Sequence, residues 1–156
     1  MYMKSATMTL LALGITCCLM PIASAQDSHT SPSFVNLAPE ELVFEPIPGS
    51  DGASQAKLLG DPAEEGYYVM RYRVPAGQLV PPHYHDQDRH ITVMAGTWAF
   101  GTGDSYACED TVPMPPGSYI FHPKGAVHFD GSCTDEPIEV QIIGVGPVQT
   151  VWLGED

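Results

Sequence analysis

Positively charged side chains are scarce in this chain of 156 residues, which has 6 Lys and Arg against 19 Asp and Glu. The formal net charge at pH 7 is −13. A surface of that sign repels phosphate backbones and anionic lipid headgroups. The charge balance therefore argues against nucleic acid as a partner.

The chain also lacks the length for two domains of ordinary size. Long segments without Gly or Pro are absent as well, because the 15 Gly and 15 Pro together make up nearly one residue in five. Such frequent turn residues exclude long helices and favour short strands. An all-β domain is the first prediction.

Long hydrophobic runs are missing too. An uncharged apolar run from Met8 to Met20 has 13 residues, whereas a membrane-spanning helix needs roughly 20. Lys4 precedes the run and Ala23-Ser24-Ala25 follows it, which is the pattern of a secretory signal peptide over residues 1–25. We expect a periplasmic or secreted protein that has no membrane association once this segment is removed.

Cysteine is rare, with 4 residues, and Cys17 and Cys18 fall inside the predicted signal peptide. Cys108 and Cys133 remain as one pair in a compartment where disulfides persist. We predict that they form a disulfide bond. A redox-active or metal-binding thiol pair is the alternative, although the sequence has no CxxC spacing.

The rest of the chain divides into two parts. Residues 26–60 are polar and then irregular, with several Pro and Gly, and we interpret them as a leader and edge segments. Residues 61–156 contain short alternating segments such as YYVMRYRVP and PIEVQIIGVG, separated by turn residues. This pattern of short alternating segments predicts a β-sandwich or closed barrel. The interior of such a barrel can hold one small ligand.

Three histidines stand out within these predicted strands. His83 and His85 are two residues apart, so they point to the same face of a strand and could share one metal ion. His128 lies 43 residues after His85 and could close the site from a facing strand. Three neutral imidazoles would suit Fe, Mn, Ni, Cu or Zn. The alternative is three histidines satisfied by ordinary hydrogen bonds.

The surrounding residues resemble both sequence motifs of the cupin superfamily. The first motif, G-x5-H-x-H-x3-E-x6-G, fits Gly77, His83, His85 and Gly96, with Arg89 at the glutamate position. The second motif, G-x5-P-x-G-x2-H-x3-N, fits Gly117, Pro123, Gly125 and His128, with Ser132 at the asparagine position. The resemblance covers residues 77–132. It implies a double-stranded β-helix, or jelly-roll barrel, over residues 61–156, with His83, His85 and His128 around one divalent transition metal.

Arg89 is the most informative departure from the motif, because a guanidinium cannot donate a lone pair to a metal. Strand alternation predicts that Arg89 faces the interior, where it would bind a carboxylate or enolate of a substrate as the catalytic cation. In a second interpretation, a one-residue bulge brings His90 or Asp88 in as a fourth ligand and turns Arg89 outward. A barrel with no functional metal is the third.

The sequence does not decide the roles of two further side chains. His122 either orients a ligand or is structural, and Gln141 could present its amide to the cavity.

Three histidines without a carboxylate suggest an oxygenase-type enzyme, such as a three-His dioxygenase, that acts on a small organic acid, diketone or phenolic compound. A non-catalytic cupin that binds a small molecule or a metal is the alternative. The resemblance also implies a possible homodimer.

Overall fold

The computed structural model describes residues 34–154 and is almost entirely β-structure. The predicted signal peptide lies outside the described residues. Within residues 34–154, no helix is long and apolar enough to cross a membrane. The described part has two one-turn 3-10 helices, Pro39–Glu41 and Cys108–Asp110. Its eleven strands, in chain order, are β1 (Glu45–Pro46), β2 (Ser54–Leu59), β3 (Gly66–Val74), β4 (Leu79–His85), β5 (Arg89–Ala95), β6 (Trp98–Thr102), β7 (Val112–Met114), β8 (Tyr119–His122), β9 (His128–Gly131), β10 (Ile138–Gly146) and β11 (Thr150–Trp152).

The strands form two antiparallel sheets. One sheet has the order β1-β2-β3-β10-β5-β8 and the other the order β11-β4-β9-β6-β7. Strands that follow one another in sequence often lie in different sheets, as β4 and β5 do. This alternation between two facing sheets is the arrangement of a double-stranded β-helix and confirms the predicted fold class. The short strands β1 and β2, from the segment interpreted as leader and edges, form one edge of the larger sheet.

A hydrophobic core lies between the two sheets. Strand alternation produces it, because every second residue of β3, β5 and β10 points inward. The buried members of this core are Tyr68, Met70, Val74, Ile91, Val93, Trp98, Ile138, Val140 and Ile142. Most are β-branched or aromatic residues, which suit a pleated and half-buried surface.

Gly96, a glycine of the first motif, lies in the turn between β5 and β6. Gly96 has a φ of +68°, in the left-handed region that L side chains rarely adopt. A Cβ at this position would lie 2.3 Å from the carbonyl oxygen of Pro137. The tight turn from the end of β5 to the start of β6 therefore depends on the absence of a side chain at Gly96.

The predicted cysteine pair is bonded. Cys108 and Cys133 form a disulfide that joins the 3-10 turn after β6 to the loop after β9. The bridge closes a segment of 25 residues and is compatible with an oxidising compartment.

Candidate metal centre

Two neighbouring strands of the smaller sheet carry the three histidines of the sequence motifs. β4 and β9 pair antiparallel, with His83 directly opposite His128. His83 and His85 share the inward face of β4, and all three side chains are buried. One nitrogen from each lies within 4.8 Å of one nitrogen from each of the others. The structure thus brings together the three residues that the sequence selected, in an arrangement that could hold a metal ion.

Backbone carbonyls fix the tautomers of two of these rings. Nδ1 of His83 donates to the carbonyl oxygen of Pro81 at 2.7 Å, and Nδ1 of His128 donates to that of Ala126 at 2.9 Å. The proton on Nδ1 leaves Nε2 of each ring with a free lone pair. A metal-binding histidine commonly donates its other ring N–H to a carbonyl in this way.

His85 makes a different pair of contacts. Its Nδ1 lies 3.2 Å from the hydroxyl of Thr150, and its Nε2 accepts a hydrogen bond from Nη1 of Arg89. Arginine can only donate, so this contact fixes the lone pair of His85 on Nε2. The guanidinium therefore occupies the lone pair through which His85 would bind a metal ion.

Burial keeps all these rings neutral. Loss of hydration lowers the pKa of His83, His85 and His128 below the ordinary value, and the charge of Arg89 lowers each of them further. A neutral imidazole is the form that binds a metal. The electrostatic environment therefore favours ligation at neutral pH, although the Arg89 charge also repels a cation.

Arg89 lies on the inward face of β5, the same face as the buried Ile91 and Val93. Its Nε is buried and has no hydrogen-bond partner among residues 34–154. The guanidinium is thus directed into the interior with unused donor capacity, as strand alternation predicts.

The bulged alternative does not occur in the structure. His90 is on the outer face of β5, where its Nδ1 lies 2.7 Å from the hydroxyl oxygen of Tyr119. Asp88 accepts a hydrogen bond from the backbone N–H of Lys124 at 2.7 Å. Neither side chain is available as a fourth ligand, because each is held away from the three histidines.

His122 joins the same cluster from the opposite sheet. It is on β8, directly paired with Arg89 on β5, and only 4% of its surface is exposed. Its ring lies 4.0 Å from that of His128, between centroids, and it stacks on Phe100. Burial, with the nearby His128 and Arg89, lowers the pKa of His122 to about 2. The sequence left its orientation open, and the structure places it inside.

Asp130 is a functional candidate that the sequence analysis missed. It follows His128 by two residues on β9, so both point to the interior. Its Oδ2 lies 3.8 Å from Nε2 of His128. Burial raises the pKa of this carboxyl, against the opposing influence of His128 and Arg89. The pattern His-x-Asp on a strand adjacent to His-x-His was the available signal.

Gln141 does not face the cavity, so that hypothesis is wrong. It alternates with the buried Val140 and Ile142 on β10 and therefore points to the outer face. There its Oε1 accepts a hydrogen bond from Nε of Arg71 at 3.0 Å. The alternation of buried residues on β10 leaves no other orientation for this amide.

A cavity of about 720 Å³ opens beside the histidines. Arg89 is the only Lys or Arg among the described residues that line it. Trp152 stands at its rim, 40% exposed, with its ring centroid 4.9 Å from that of His83. Much of the remaining wall is apolar and includes Val74, Ile91, Trp98, Ile138, Val140 and Ile142.

Comparison with known proteins identifies the family. Residues 34–149 match the family model described as the ChrR cupin-like domain. The chain belongs to this cupin family. Among curated proteins, none matches the sequence significantly.

Solved cupin-fold structures resemble the chain over most of its length. The polyketide cyclase RemF from Streptomyces resistomycificus has a TM-score of 0.64 and 22% identity, over 80% of this chain and 89% of that one. A cupin-superfamily sugar phosphate isomerase from Silicibacter pomeroyi has a TM-score of 0.60 and 21% identity, over 78% and 83%. The DMSP lyase DddQ from Ruegeria pomeroyi has a TM-score of 0.58 and 20% identity, over 73% and 62%. Structural similarity of this kind, at such low sequence identity, shows that the fold is shared and nothing more.

Proposed function

We propose that this cupin is an exported metal-dependent enzyme of the oxygenase type that acts on a small organic acid, diketone or phenolic compound. The observation that carries the proposal is the cluster of three buried imidazoles, His83, His85 and His128, beside a cavity that His83, His85 and Arg89 line. The fold alone does not select a reaction, since a cyclase, an isomerase and a lyase share it.

His83, His85 and His128 would hold the metal, which could be Fe, Mn, Ni, Cu or Zn. When bound, such an ion supplies Lewis-acid polarisation of a coordinated oxygen and, if it is redox-active, reactivity towards dioxygen. Three protein ligands would leave at least one coordination position for a substrate, since even a four-coordinate ion takes one ligand more. The absence of a carboxylate at residue 89 is what makes this set purely imidazole.

Arg89 would select and polarise the substrate. Its guanidinium faces the cavity and forms no ion pair with a described carboxylate within 4.0 Å. A substrate carboxylate or enolate provides the bidentate acceptor that a guanidinium fits best. The positive charge would also offset negative charge that develops on the substrate as it loses a proton. Arg89 is therefore our candidate catalytic residue.

The cavity walls favour a compact organic body over a highly polar one. Ile91, Ile142 and the aromatic rings of Tyr72 and Trp152 line the space around the charged group. Ligand pockets typically combine such apolar surface with a few polar groups that fix orientation. A small aromatic or branched acid suits the apolar part of these walls.

An oxygen-uptake screen tests the proposal. Fe-, Mn-, Ni- and Cu-loaded protein would be incubated with small carboxylates, 1,3-diketones and phenols while oxygen and substrate are measured. We expect at least one metal form to consume both. Arg89→Gln should then abolish turnover although the variant still binds the metal, and Arg73→Gln, on the outer face, should leave turnover intact. Failure of every metal form to consume any substrate class would contradict the proposal.

The hydrogen bond from Arg89 to His85 favours a second candidate, a non-catalytic binding module for small anions. In that case the guanidinium permanently takes the place of the metal. Calorimetric titration of the metal-free protein with benzoate distinguishes the two candidates. Binding that survives His83→Ala but not Arg89→Gln, without turnover in any metal form, would support the binding module.

Export is part of the proposal. The signal-like segment over residues 1–25 and the Cys108–Cys133 disulfide both suit a periplasmic or secreted protein. Mass spectrometry of the protein from a bacterial periplasm should give a chain that begins at Gln26. Recovery of only the full-length chain in the cytoplasm would contradict export.

A further inference from the structure

His122 is a buried polar side chain that the proposed three-His site does not use. Neither Nδ1 nor Nε2 has a hydrogen-bond partner among residues 34–154. Two of its neighbours are the aromatic rings of Trp98 and Phe100. A neutral imidazole has one donor and one acceptor, and a buried polar group that stays unpaired destabilises the fold. A ligand that binds a ring nitrogen of His122 would remove part of this cost.

Two other potential ligands lie within reach of this ring. His122, His128 and Asp130 each offer one ligand atom, and these atoms lie within 4.8 Å of one another. His128 and Asp130 come from the inward face of β9, and His122 comes from β8 in the opposite sheet. Nε2 of His128 is also buried without a hydrogen-bond partner in the described part of the chain. Two unpaired imidazoles and a carboxylate thus face one point.

The register of the strands relates this set to the altered motif. Arg89 occupies the position where the cupin motif has glutamate, and β5–β8 pairing places His122 directly beside it. The carboxylate that the motif places on β5 is thus missing. A carboxylate, Asp130, is instead present on β9, near His128, the histidine that belongs to both groups of potential ligands.

We propose that His122, His128 and Asp130 form a second metal-binding position that excludes occupancy of the three-His position. The exclusion follows from His128, which belongs to both sets. Its Nδ1 donates to the carbonyl of Ala126, so only Nε2 can bind an ion, and one lone pair serves one ion. The chain would bind one ion in either of two positions. Two imidazoles and a carboxylate are a donor set that suits Zn and Fe.

This inference is independent of the proposed reaction, because metal binding is measured without turnover. The probes are Zn(II), titrated by calorimetry, and Co(II), followed by its visible absorption, with protein purified without a histidine tag. His85→Ala disables the three-His position, and His122→Phe or Asp130→Asn disables the second. His90→Phe, on the outer face of β5, is the matched control, and circular dichroism verifies folding of each variant.

We expect wild type to bind one ion per chain and each single variant, His85→Ala or His122→Phe, to retain one. His85→Ala should lose roughly 10- to 100-fold in affinity and change the Co(II) spectrum, because an oxygen ligand replaces a nitrogen. Adding His122→Phe or Asp130→Asn to His85→Ala should remove at least a further 100-fold. His128→Ala alone should lose both positions.

Two results would overturn the second position. One is a His85→Ala variant that binds no more tightly than His128→Ala. The other is a His85→Ala affinity and Co(II) spectrum that neither His122→Phe nor Asp130→Asn changes. A wild-type protein that binds no ion would exclude both positions together. If His122→Phe does not fold, Asp130→Asn gives the same comparison with a smaller change.

Discussion

Arg89 donates a hydrogen bond from Nη1 to Nε2 of His85, the atom through which that histidine would bind a metal ion. The guanidinium and the ion therefore compete for one lone pair, and their like charges repel. An anion that draws Arg89 away from His85 would favour metal binding. By linkage, a metal ion that displaces the guanidinium would make Arg89 available to an anion.

Removal of the arginine should strengthen metal binding. For Arg89→Met we expect the affinity for Zn(II) to rise at least about tenfold, equivalent to roughly 1.4 kcal/mol, because the competing donor and its charge are lost. Calorimetric titration measures the change. Arg73→Met, which loses a charge on the outer face, is the control and should bind as wild type does. Equal or weaker binding by Arg89→Met would mean that Arg89 does not oppose the ion.

The stability of the metal-free protein should fall as the pH falls below about 6.5. Burial is the main cause that lowers the pKa of His83, His85, His122 and His128. In the unfolded chain these rings titrate near 6.5, so below that pH the unfolded state binds protons that the folded state does not. The contribution of the neutral rings to the free energy of unfolding is therefore fully present above about pH 6.5. It decreases progressively as the pH falls from there towards the lowered pKa values.

Urea denaturation with a chelator at pH 7, 6 and 5 measures this dependence. Each such histidine contributes a slope that approaches about 1.4 kcal/mol per pH unit. His122→Phe should reduce the slope by one histidine's share and gain stability relative to wild type at pH 5. A free energy of unfolding that is constant from pH 7 to pH 5 would be incompatible with four buried neutral rings.

The disulfide should stabilise the domain. Cys108 and Cys133 close a loop of 25 residues, for which the loss of chain entropy in the unfolded state amounts to about 3 kcal/mol. We expect a reductant to lower the free energy of unfolding by roughly that amount. The double variant Cys108→Ser/Cys133→Ser should match the reduced protein and be insensitive to reductant. Identical urea midpoints with and without reductant would refute a stabilising bridge.

Gly101 should be intolerant of even one methyl group. A Cβ there would lie 2.1 Å from Cζ of Phe129, whose side chain is fully buried. We expect Gly101→Ala to cost about 1–3 kcal/mol by overpacking, measured by urea denaturation. Combining it with Phe129→Leu should be strongly non-additive, because the smaller side chain relieves the clash. Simple additivity of the two variants would show that the ring already has room to move.

The fold class and the faces on which the site residues lie could be predicted from the sequence. Turn residues at short intervals and period-2 alternation predict the β-sandwich, because alternate strand residues must point to opposite faces. The same rule places His83 and His85 on one face and directs Arg89 inward with Ile91 and Val93. These are local properties, so no knowledge of the partner strands is needed.

The tertiary structure decided which side chains meet. His122 and Asp130 join the histidines only because β8 lies beside β5 and β9 lies beside β4 in facing sheets. Strand order and register are set by contacts between residues far apart in sequence, which local alternation does not encode. For the same reason Arg89 could be predicted to face inward, but its hydrogen bond to His85 could not. The sequence alone determined the faces of the strands, and the pairing of those strands decided the chemistry between them.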